Sequence, residues 1–221
     1  MLVLVFAPQG AAIAGIDFRD VLARLYPRLN AASAATLVRW TDAELYQWAD
    51  EAAKRLARSF GVFVERDAST ALVAGTGTYA AAARHVSTVH ASADSTALYA
   101  RTAQELEALD ALYVETQAAG GKLPSGFLSE AGAAGSATRV YPLPSAGGTL
   151  GLIMHRYPAA IASSNYTLSV PLCLTEYFSW WMLAEARRKE SQAKMPEIAE
   201  HFAERVGLLD QVIQRYWGDA R

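Results

Sequence analysis

Hydrophobic positions fall at helical spacing near both ends of the chain and in short strand-like runs between them. Asp17 is a candidate N-cap for a helix to about Leu29, with Phe18, Val21, Leu22 and Leu25 on one face. Pro27 leaves the end of that helix open, and residues 30–36 form a small-residue connection. The next helix is the best-marked element. Thr41 and Glu44 have the spacing of a capping box, and Trp40 and Leu45 that of a hydrophobic staple. Its stripe is Leu45, Trp48, Ala52, Leu56 and Phe60, Gly61 supplies the stop, and Lys54, Arg55 and Arg58 favour its C-terminal end.

From Val62 the period changes. Strands are predicted at 62–66, 85–90, 96–99, 127–128, 138–141 and 149–157, and a hairpin edge at 69–79 broken by Gly75 and Gly77. One short helix interrupts them, with a capping box at Thr102 and Glu105 and a stripe of Leu106, Leu109 and Leu112 or Tyr113. Two helices close the chain. Thr175 can cap one running to about Gln192, apolar on most of its circumference through Tyr177, Phe178, Trp180, Trp181, Met182 and Leu183. Pro196 fits the first position of the last, whose stripe is Ile198, Phe202, Val206, Leu209, Ile213 and Tyr216.

The order is helices, a block of short strands, then helices, without the regular strand–helix alternation of parallel α/β folds. The expected class is α+β: a helical bundle drawn from both chain ends, carrying a mostly antiparallel β-rich insertion. The boundaries read as an N-terminal arm and helices over 1–61, the insertion with its short helix over 62–170, and C-terminal helices over 171–221 that pack with 17–61. Together these make one structural domain plus an insertion.

Composition narrows the classes. Apolar residues are 52% and charged residues 19%, too apolar for wholesale disorder. A net charge of −2 leaves no basic excess for nucleic-acid binding by counterion release. The single cysteine, Cys173, cannot form an intrachain disulfide and is compatible with a reducing cytosol. The apolar start at 1–8 lacks a basic segment and reads as a strand or packed arm rather than a signal peptide. No apolar run reaches the roughly 18 residues of a membrane span.

Candidate chemistry is sparse. Gly75-Thr-Gly77-Thr-Tyr-Ala80 fits G-x-G-x-x-A, with Asp94 placed for a ribose contact, but no βα series follows, so a glycine-bearing hairpin turn is expected. His85 and His90 are an odd number apart in a predicted strand and point to opposite faces. His155 and His201 lack partners at metal-ligand spacing. Cys173 precedes a helix, where a thiol can be activated, yet its apolar neighbours suit a buried structural cysteine. Glu105, Glu107 and Asp110 suit a solvated helix face, and Asn165-Tyr-Thr167 is a sequon that matters only in a secretory context. Neither a nucleophile elbow nor a P-loop occurs. The expectation is no catalytic residue, no metal and no cofactor.

The aromatic residues carry more weight. Trp40, Trp48, Trp180, Trp181 and Trp217 all lie in or beside predicted helices. Trp180 and Trp181 point about 100° apart around their helix, so covering both needs neighbours on two sides, within the chain or in a partner. Trp180, Trp181, Tyr216 and Trp217 are the candidate protein-interface residues.

Several segments together resemble the head-to-tail adaptor (connector, or head-completion) proteins of tailed bacteriophages. They are 40–46, 50–56, Thr78-Tyr79, Arg84-His85-Val86, Arg139-Val-Tyr-Pro-Leu-Pro144, Gly147-Gly-Thr-Leu150, His155-Arg-Tyr-Pro158, 183–191 and Met195-Pro-Glu-Ile198. The likeness runs over residues 17 to 217 and lies in order and texture, not in a catalytic signature. It implies a helical bundle with a β-rich insertion, and a structural virion protein that performs no chemistry. It also implies a homo-oligomeric ring, a dodecamer on the family's pattern, at the neck of the particle. Its partners would be other copies, the portal protein and a tail or nozzle protein. Genomic DNA would pass through the channel without sequence-specific binding, no membrane would be involved, and assembly would occur in the host cytoplasm. The alternatives left open are a cytosolic protein-binding module and a dinucleotide-binding enzyme.

Overall fold

The structure is a computed structural model that describes residues 15–29, 39–80, 84–116, 118, 122–132, 135–191 and 196–217. The predicted arm at 1–8 and the connection at 30–36 lie outside the described residues. Two compact units emerge: the described residues up to Phe60 together with those from Pro158 on, and Gly61–Tyr157.

The first unit contains β1 (Ile16–Asp17), α1 (Phe18–Arg28), α2 (Asp42–Phe60), β10 (Thr167–Leu168), α4 (Thr175–Ser191) and α5 (Pro196–Trp217). Its helices begin where local chemistry dictates. The Asp17 carboxylate accepts from the Arg19 amide at 2.9 Å. Thr41 and Glu44 exchange both bonds of a capping box, at 2.9 and 3.3 Å. Trp40 and Leu45 are both buried, and the Trp40 indole donates to the Ala186 carbonyl at 3.3 Å. Helix α1 runs one residue past Pro27. Helix α4 packs against α1, α2 and α5, burying Tyr177, Phe178, Met182, Leu183 and Ala186. The buried stripe of α5 is Ala199, Val206 and Ile213, with Phe202 and Leu209 partly covered. Ile198 is exposed, so the stripe starts one residue later than its spacing suggested.

The second unit holds β2 (Val64–Leu72), β3 (Thr78–Ala80), β4 (His85–Ala93), β5 (Thr96–Ala97), β6 (Tyr99–Ala100), α3 (Ala103–Leu109), β7 (Gly126–Gly132), β8 (Gly135–Tyr141) and β9 (Gly148–Arg156). They form two four-stranded sheets, in the orders β2-β9-β4-β5 and β3-β8-β7-β6. All pairings are antiparallel except β6 with β7. The sheets enclose a core of Leu72, Ala91, Ala93, Leu98, Phe127, Val140, Leu150, Leu152 and Met154. Alternate residues Leu150, Leu152 and Met154 of β9 all face it, as the two-residue period of a strand requires. Burying each larger side chain contributes roughly 1.5–3 kcal/mol.

Three expectations are corrected here. The protein is a mixed α+β protein, but not a helical bundle from both ends that carries a β insertion. Among the described residues it has five α-helices and three sheets, and the β part is sandwich-like with its own core. The third sheet, β1 with β10, puts strands inside the helical unit, where Ile16 and Leu168 pair and are both buried. The reason is long-range: sheet partners are chosen by packing between segments far apart, which local period does not encode.

The predicted hairpin at 69–79 is also not a hairpin. Strand β2 pairs with β9 in one sheet and β3 with β8 in the other, so the turn at Gly75 carries the chain between sheets. Finally, of the predicted α3 stripe only Leu106 is buried, whereas Leu109 and Leu112 face solvent.

Candidate functional site

The residues singled out on α4 form a stacked cluster inside the helical unit. Four positions apart on one face, Tyr177 and Trp181 stack with centroids 6.3 Å apart. The Trp180 ring turns to the adjacent face and stacks on Phe202 of α5 at 5.5 Å. Three guanidinium groups close over these rings. Arg28 of α1 lies 4.5 Å and Arg205 of α5 lies 5.2 Å from the Trp180 centroid, and Arg55 of α2 lies 5.3 Å from that of Trp181. Such contacts contribute about 0.5–1 kcal/mol where exposed and more where water is excluded.

Carboxylates hold two of the guanidinium groups in place. Glu176, in the first turn of α4, accepts from Arg24 at 2.6 Å and from Arg28 at 3.1 Å. Burial works to raise its pKa, but the two arginines outweigh it and hold the carboxyl below the usual range. Arg55 pairs with Asp210 of α5 at 2.6 Å, and that bond raises the already high guanidinium pKa. The Tyr177 hydroxyl is buried and faces this pair. Burial first, and the Asp210 carboxylate second, push its ionisation far above the usual value. An open cleft of about 570 Å³ beside the pair is lined by Arg55 and Phe60 of α2 and by Asp210, Gln214 and Arg215 of α5.

Trp180 and Trp181 are therefore half-buried, and both are engaged within their own unit. Tyr216 and Trp217 continue α5, and their side chains lie outside the described residues. The spacing of Trp180 and Trp181 signalled two covered faces, whereas the three arginines over them carried no signal, because each comes from a different helix.

The other candidates sit elsewhere. His85 is buried between the sheets, with Nε2 3.0 Å from the Thr88 hydroxyl, which lies 2.6 Å from that of Thr138. His90 is exposed. Asp94 takes a positive φ in the β4–β5 turn, and its carboxylate accepts from the Thr149 amide at 2.7 Å. Gly77 leads into strand β3, whereas the dinucleotide fingerprint needs a helix there. Cys173 is exposed in a 3-10 turn, Leu172–Leu174, not buried as its apolar neighbours suggested. Among the described residues no group of three or more His, Cys, Asp or Glu could hold a metal ion, and no helix is long and apolar enough to cross a membrane.

A protein-family model described as SU10 adaptor protein matches residues 16–221, and the chain belongs to that family of phage head-to-tail adaptors. No curated protein matches the chain.

Proposed function

We propose that this chain is a ring-forming adaptor that joins the portal to the tail and continues the DNA channel at the neck of the virion. The observation that carries this is the family match over 16–221, which spans residues of both units. Its partners are further copies of itself, the portal protein and a tail or nozzle protein. It assembles in the host cytoplasm and works without chemistry or a cofactor.

Physical considerations support the reading. A ring needs two different, complementary patches on each subunit. A net charge of −2 suits a channel along which DNA slides, because a strongly basic lining would retain it. Within this proposal the uncovered parts of Trp180 and Trp181, with Tyr216 and Trp217, contribute contacts to neighbouring proteins. The test is genetic and visual. Deleting the gene is expected to leave DNA-filled heads separate from finished tails in electron micrographs. Normal tailed particles without the chain would overturn the proposal.

A further inference from the structure

We draw no further inference here: the strongest candidate, the surface patch of exposed Leu109, Leu112 and Val114 that follows α3, carries nothing, because acidic and basic side chains both flank it and nothing in the structure shows what covers it.

Discussion

Arg55 of α2 and Asp210 of α5 meet 2.6 Å apart beneath the face of Trp181, joining two helices far apart in sequence. Asp210 is mostly shielded, and one of its oxygens is fully buried. Replacing Arg55 by methionine is expected to cost about 1–2 kcal/mol, because it strands a half-buried carboxylate and removes a cation–π contact. Arg19 pairs with Asp17 at the exposed start of α1, and Arg19→Met is expected to leave stability almost unchanged. Urea denaturation of the two variants beside the wild type checks the difference.

His85 makes the β unit sensitive to acid. Burial first, then the charges of Arg156 and His155, lower its pKa from 6.5. Between that lowered value and 6.5 the unfolded chain binds more protons than the folded one, so stability rises with pH through this window. Acidifying below about pH 6.5 should loosen the sandwich, and His85→Gln should flatten the dependence. Carboxylates such as Glu44, whose pKa the Lys189 ammonium and the Thr41 amide lower, lose their contribution only at lower pH, below their usual value of 4.5. Hydrogen exchange of the peptide spanning β4, followed from about pH 7.5 to about 5.5, reads this directly.

Two glycines should respond in opposite directions to alanine. Gly61 has φ +59°, and a Cβ there would lie 2.3 Å from Cε1 of His155, whose Nδ1 is 3.3 Å from the Ser87 hydroxyl. Gly61→Ala is expected to cost about 1–3 kcal/mol or more. Gly207, inside α5, has nothing within 4 Å of a built Cβ, and Gly207→Ala should stabilise by about 0.5–1 kcal/mol. Thermal melts of the single variants check both signs.

The short helix α3 separates burial from pattern. Leu106 is buried and Leu109 is exposed, although both fit one helical stripe. Leu106→Ala is expected to cost about 2–4 kcal/mol, whereas Leu109→Ala should stay within about 0.5 kcal/mol. Denaturant midpoints distinguish them.

That contrast also marks where the sequence was legible. Both capping boxes, at Thr41 with Glu44 and at Thr102 with Glu105, could be read because caps are made by residues three apart. The extents of α2 and of β9 followed from runs of uniform period ending at Gly61 and Pro158. The assignment of β2 and β3 to different sheets was not legible, and nor was the pairing of Ile16 with Leu168, because each depends on a partner many residues away. The adjacent Trp180 and Trp181 signalled a helix covered on two sides, but a helical period says nothing about which arginines arrive from α1, α2 and α5. Leu109 and Leu112 look like core in the sequence because apolar spacing is the same whether a face is covered or left open.

Native mass spectrometry of the full chain mixed with the portal protein of the same particle tests the central claim most directly. The account predicts a closed ring of many copies bound to the portal, with negatively stained images showing an open central channel. A chain that stays monomeric and binds neither portal nor tail under conditions where those proteins assemble would contradict it.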